Sequence, residues 1–416
     1  MKTSFNYTKF CVFLFSCASL LQCSGSSSSA SNLAACQKVS NATPVATPQA
    51  TPGAATGTTA TAPVGREYFN IIPDQHAAEY FIGLSIGGQN VSVVADTGSS
   101  NLILTEGYSP GATATNVGRS FPVAYGSGNG IATEYSDQTK ISCDTIPSSA
   151  TFGVLTQNNN LPNILGLGYA SLASPPDAPL VPFFDQIVKE RTGIGNIFTM
   201  TLCGAKSGST VLLGSTDARV TGQINYVPVI KQGYYVVKAM NAQVVGWALQ
   251  GSSWVSSPGT TTNIGEFPSD AGAGSGLVTI VDSGTTLNIL PYSIFESAAA
   301  IMRAVNDAKG LLIPDSYWID EPGKNHMLLS LSADQIAAFP IIQIVLSDVA
   351  GNPLPLSMAP STYFKELGFG SGNRIFGFAH AQGLNILGQV FMENFSVQFD
   401  KTNNRVGFGP NTAICQ

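Results

Sequence analysis

The run Val91-Ser92-Val93-Val94-Ala95-Asp96-Thr97-Gly98-Ser99 decides how this chain is read. A β-branched apolar stretch ends in the small residues of a tight turn, so a strand delivers a carboxylate to the turn's tip. The arrangement returns downstream as Leu277-Val278-Thr279-Ile280-Val281 followed by Asp282-Ser283-Gly284-Thr285. One such turn is an ordinary loop. Two can be folded face to face, and paired carboxylates that cannot both ionise are a device for acid–base hydrolysis.

A second repeat reinforces the first. Asn163-Ile164-Leu165-Gly166 and Asn385-Ile386-Leu387-Gly388 are identical, and each lies downstream of one Asp turn. A single Ile-Leu-Gly is a buried strand meeting a turn. Two copies in matching order imply one lobe duplicated, with one Asp offered by each. The intervening pattern is mostly β, as in the alternating Tyr80-Phe81-Ile82-Gly83-Leu84-Ser85-Ile86, the run Thr210 to Gly214 and the run Gln343 to Leu346. Helical periodicity is confined to Phe183–Arg191, Ile294–Ala308 and Ala333–Phe339. The expected fold class is therefore all-β with a few short helices.

The chain has 416 residues, room for two or three domains. Only 11% are charged and the formal net charge is -6, which excludes a general nucleic-acid binder and suits an acidic medium. Residues 1–23 read as an export signal: Lys2 and Lys9 precede a mostly apolar stretch from Phe10 to Leu21. That stretch is short for a membrane span. Leu20-Leu21-Gln22-Cys23 partly resembles a lipoprotein cleavage site, so a lipid on Cys23 is the alternative to simple secretion, although Gln22 fits it poorly. Residues 24–66 are rich in Ser, Thr, Pro and Ala and read as an extended tether. Order is expected from Glu67, with one lobe at 67–225 and the other at 226–416.

Outside the leader four cysteines remain, Cys36, Cys143, Cys203 and Cys415. In an exported protein they favour two disulfides, with three connectivities open. His76, His326 and His380 are scattered in sequence, and neither HExxH nor CxxC occurs, so no metal or cofactor is expected. A glycosidase also uses two carboxylates, but has no need of twin Asp-x-Gly turns each backed by Asn-Ile-Leu-Gly.

From Glu67 to Gly409 the chain closely resembles the pepsin-like aspartic endopeptidases. The two Asp turns match that family's catalytic motifs, and Tyr125-Gly126-Ser127-Gly128 matches its flap hairpin. Ile224-Asn225-Tyr226-Val227-Pro228-Val229 and Asn404-Arg405-Val406-Gly407-Phe408 match further segments in order. The resemblance implies a bilobal fold of two β-barrel-like lobes, a polypeptide substrate held in the cleft between them, sensitivity to statine-type inhibitors and a monomer. It implies that Asp96 and Asp282 share a proton and activate water. Gly98 and Gly284 let the backbone turn close to the carboxylates, while Ser99 and Thr285 donate to the outer carboxylate oxygens. Thr97 and Ser283 interlock across the lobes. Tyr125, with Gly126 and Ser127, closes over the substrate, and Val94 and Ile164 line a pocket for apolar side chains.

The cysteines resemble the β-secretase-like branch, which implies Cys203–Cys415 and leaves Cys36–Cys143. Three departures stand out. Ile103 occupies a position where the family has a Trp that hydrogen-bonds the flap Tyr, and Gln389 follows the second Asn-Ile-Leu-Gly where many relatives carry Asp. Between Ser24 and Gly65 the only basic residue is Lys38, so no conventional basic prosegment is expected. The rival reading is a catalytically silent peptide- or inhibitor-binding protein on the same fold.

Overall fold

The computed structural model describes residues 78–416 apart from 106, 126–127, 142–147, 159–160, 192, 269–277, 321–325, 369–371 and 382, together with the backbone of 67–70 and 72–73. The export signal, the tether, Cys23, Cys36, His76, Gly126, Ser127, Cys143 and Leu277 lie outside the described residues.

The architecture is all-β and bilobal. Tyr80–Ile86 alternates strictly between buried and half-buried positions, as a strand with one face in the core must. It turns through Gly87 and Gly88, with φ of 55° and 78°, into Gln89–Asp96. Both glycines take the left-handed backbone that a two-residue hairpin turn demands. These strands belong to an eight-stranded sheet that also holds Thr115–Tyr125, Gly128–Ile141, Ser148–Asn158 and Ile164–Gly166. The second lobe places Val278–Val281, Leu384–Leu387 and Asn288–Leu290 in a five-stranded sheet.

A six-stranded sheet joins the halves, with Ile197–Thr201 paired to Ser396–Asp400 and Asn225–Pro228 paired to Arg405–Gly409. Its core face stacks Phe198 on Phe399 at 4.9 Å between ring centroids, and Tyr235 sits 4.6 Å from Phe399. Cys203 and Cys415 are joined as a disulfide at the margin of this sheet, with Cα atoms 5.2 Å apart.

The helices fall where the apolar periodicity lies. Phe183–Glu190 buries Phe183, Phe184 and Ile187. Tyr292–Lys309 starts two residues before the expected Ile294 and ends at Gly310, whose φ of 62° forms the left-handed cap. Ala333–Ala337 opens with a capping box from Ser332 and Gln335. It stops short of the expected Phe339 because Pro340 follows, and a residue before proline is driven out of the helical region.

Candidate active site

Each Asp turn sits on a parallel strand pair. Val94, Ala95 and Asp96 run beside Ile164, Leu165 and Gly166. Val278 to Val281 run beside Leu384 to Leu387 in the same sense. The closing glycines are sterically required. A Cβ on Gly166 would lie 2.4 Å from the Ser100 nitrogen, and one on Gly388 would lie 2.2 Å from the Leu287 oxygen. The repeated tetrapeptide is thus the shelf on which each turn rests.

The carboxylates are held in mirrored cradles. Gly98 N–H donates to Asp96 Oδ1 at 2.7 Å, and the Ser99 hydroxyl donates to Oδ2 at 2.5 Å. Gly284 N–H donates to Asp282 Oδ1 at 2.8 Å, and the Thr285 hydroxyl donates to Oδ2 at 2.7 Å. Asp96 and Asp282 are 8% and 6% exposed, so both are nearly withdrawn from bulk water. A Cβ on Gly98 would fall 2.5 Å from Asp282 Oδ1, and one on Gly284 would fall 2.4 Å from Asp96 Oδ1. Each glycine therefore faces the opposite carboxylate.

Thr97 and Ser283 couple the turns. Thr97 N–H donates to Ser283 Oγ at 3.0 Å, and Ser283 N–H donates to Thr97 Oγ1 at 2.9 Å. Their hydroxyls then donate onward, Thr97 to the Val281 carbonyl at 3.1 Å and Ser283 to the Ala95 carbonyl at 2.7 Å. Four buried hydrogen bonds cross the lobe boundary through two side chains.

Burial and the neighbouring Asp282 charge hold the Asp96 carboxyl well above the usual carboxylate range, with opposing hydrogen bonds from Ser99 and Gly98 outweighed. Burial, then the charge of Asp96, likewise pushes the Tyr125 phenol up, against a hydrogen bond with Ser99. Tyr125 ends its flap strand and pairs with Gly128 across the hairpin. Beneath it, Ile103 is fully buried in an apolar cluster with Phe121, Val123, Leu161 and Leu180, on which Tyr125 packs. Apolar packing thus stands where a Trp hydrogen bond was the family expectation.

The cleft has a volume of about 610 Å³ and contains Asp96, Asp282 and Tyr125 together with Val94 and Ile164. Sequence reasoning passed over Ile280 and Ile386, which also line it. They are the second-lobe counterparts of Val94 and Ile164, two residues before Asp and second in the tetrapeptide, so the duplication carried that signal. Tyr234 lines the cleft as well, its phenol raised by burial and then by Asp282 and Asp96; no local motif marked it. Gln389 is fully buried below the second turn, where its side-chain N–H donates to the Ser283 carbonyl at 3.0 Å.

Two histidines scattered in sequence come together in the fold. His326 and His380 place Nε2 at 3.8 and 4.0 Å from the two oxygens of Asp320. Burial lowers the His326 pKa and the Asp320 charge opposes that shift. Among the described residues no group of three or more His, Cys, Asp or Glu is arranged to hold a metal ion.

A profile of the eukaryotic aspartyl protease family matches residues 79–411, spanning both turns and both tetrapeptides. The chain belongs to that family. As an aspartyl protease it is an aspartic endopeptidase, a hydrolase acting on peptide bonds. It is 28% identical to cathepsin E of Aquarana catesbeiana over 80% of this chain and 79% of that protein. It is 27% identical to embryonic pepsinogen of Gallus gallus over 79% of each. Beta-secretase of Strongylocentrotus purpuratus is 26% identical over 83% of this chain and 69% of its own length. Among the described residues of this aspartyl protease no helix is long and apolar enough to cross a membrane.

Proposed function

We propose that Asp96 and Asp282 hold one proton and one water between them and hydrolyse peptide bonds in extended polypeptides. The observation that carries this reading is the mutual approach of the two mirrored cradles, each glycine facing the opposite carboxylate. Two buried carboxyl groups so close titrate as a pair. Burial and the charge of Asp282 raise the Asp96 carboxyl, as expected where two carboxyl groups share a proton.

In the reaction, the protonated carboxyl polarises the scissile carbonyl and the ionised one accepts a proton from the attacking water. A tetrahedral intermediate forms with no covalent bond to the protein. Ser99, Thr285 and the two glycine N–H groups keep the carboxylates oriented. The Thr97–Ser283 bonds fix the distance between lobes. Tyr125, with Gly126 and Ser127, closes over the peptide and limits access of water. Val94, Ile164, Ile280 and Ile386 favour apolar side chains around the cut. An acidic working pH suits the low charge content of the chain.

The lobes meet near residues 225 and 226, and the protein acts as a secreted or extracytoplasmic monomer, with lipidation at Cys23 as the alternative. Incubation with denatured globin between about pH 3 and pH 7, with and without a statine-type inhibitor, tests the reading. Inhibitor-sensitive peptide release that Asp96→Asn abolishes is the expected result. No release by wild type overturns it and leaves a silent peptide-binding protein, while undiminished release by Asp96→Asn overturns the role given to Asp96.

A further inference from the structure

We propose that Arg119 is a positioning residue for the flap, tying the hairpin that carries Tyr125 to the loop that Asn101 holds beside the Asp96 turn. The inference rests on the peptidase reading above and adds to it the device that sets the flap's height over the cleft.

Arg119 lies on the strand Thr115–Tyr125, within an interruption of pairing between Asn116 and Ser120. There Gly118 adopts a φ of 79° and its N–H donates to Asn116 Oδ1 at 2.7 Å. The bulge re-aims the following side chain, as bulges do. Arg119 Nε bonds Glu134 Oε2 on the opposing hairpin strand, and Nη1 donates to the Ala178 carbonyl at 2.6 Å. The Glu134 side chain is 7% exposed and that of Arg119 is 31% exposed. A planar guanidinium can serve both acceptors at once; a lysine ammonium of similar reach is a single point.

Ala178 belongs to a loop anchored to the catalytic turn. Asn101 Oδ1 accepts from Ser174 N–H at 2.9 Å, and Asn101 Nδ2 donates to the Ser174 carbonyl at 2.8 Å. Leu172 and Ser174 of this loop face the cleft. Leu180 joins the apolar cluster that supports Tyr125. A continuous path therefore runs from the Asp96 turn through Asn101, the 174–180 loop and Arg119 into the flap. Ile103 has no side-chain atom able to hydrogen-bond Tyr125, so the Arg119 link at the hairpin's base adds to the Tyr125–Ser99 hydrogen bond nearer its tip.

Two variants test the clamp. Arg119→Lys keeps a cation for Glu134 but gives up the Ala178 carbonyl. Arg119→Met combined with Glu134→Gln removes both links without stranding a buried charge. Amide exchange read by mass spectrometry and steady-state cleavage of an extended peptide are measured on each. Both variants are expected to exchange about tenfold faster over residues 115–125, with residues 278–290 unchanged. KM is expected to rise about tenfold while kcat stays within about threefold of wild type. Unchanged exchange over 115–125 in both variants overturns the proposal. So does an Arg119→Lys protein with wild-type KM and exchange, which would reduce Arg119 to a partner of Glu134 alone. Absence of cleavage by wild type would defeat the peptidase reading separately, since exchange reports on the clamp without catalysis.

Discussion

Thr97 and Ser283, 186 residues apart in sequence, each accept the other's backbone N–H on a side-chain oxygen. Neither hydroxyl touches solvent, both residues being fully buried. The pair is a direct polar link between the two Asp turns, holding them together from within.

Replacing Thr97 by the isosteric Val removes one acceptor and one donor and strands the Ser283 N–H and the Val281 carbonyl. Leaving buried polar groups unpaired costs about 1–3 kcal/mol each. Thr97→Val is expected to lose about 2–5 kcal/mol in chemical denaturation. Thr97→Ser, which keeps the oxygen, should lose far less.

A methyl on Gly98 would collide with the Asp282 carboxylate. Gly98→Ala is expected to remain folded, because the conflict is with a side chain, yet to push the carboxylates apart. Misplacement of reacting groups by about 1 Å costs about a hundredfold in rate. The expected outcome is a hundredfold or greater fall in kcat, on the order given above, with an unchanged far-ultraviolet circular dichroism spectrum. Wild-type kcat in this variant would mean that the two carboxylates do not work together.

The raised Asp96 pKa makes folding depend on pH. The folded protein holds a proton on this group that the unfolded chain releases at lower pH. Its stabilising contribution is thus complete below the unfolded pKa and is lost as pH rises through the folded one. Calorimetry should find that wild type loses stability on going from acid toward neutral pH more steeply than Asp96→Asn. The variant should be the more stable of the two at neutral pH. Parallel curves would contradict this.

Gln389 donates to the Ser283 carbonyl from a fully buried position. Gln389→Leu keeps the bulk and deletes the bond. A loss of about 1–3 kcal/mol in stability is expected. Glu at this position would place a second acceptor against the carbonyl unless protonated, so Gln389→Glu should lose stability most at neutral pH and recover toward acid.

Much of this was readable before any coordinates. The two Asp turns and their Asn-Ile-Leu-Gly shelves are local patterns, and local patterns survive in sequence. Even the hydroxyl donors Ser99 and Thr285 lie three residues from their carboxylates, within one turn. What escaped depends on distant contacts. Nothing near Arg119 announces Ala178, 59 residues away, and nothing near His326 announces His380. The pairing of Ile197–Thr201 with Ser396–Asp400 is likewise a property of chain topology, which no short window records. Ile280 and Ile386 are the exception, since the internal repeat pointed to both.

The sheet that seats the two halves has a consequence for biosynthesis. Ile197–Thr201 emerges from the ribosome about 200 residues ahead of its partner, a separation that slows folding. Meanwhile Asp96 has no counterpart until Asp282 is translated, and the Thr97–Ser283 bonds cannot form before then. A nascent polypeptide therefore carries only one of the two facing carboxylates while the stretch between Asp96 and Asp282 is being made, and the paired arrangement is assembled late.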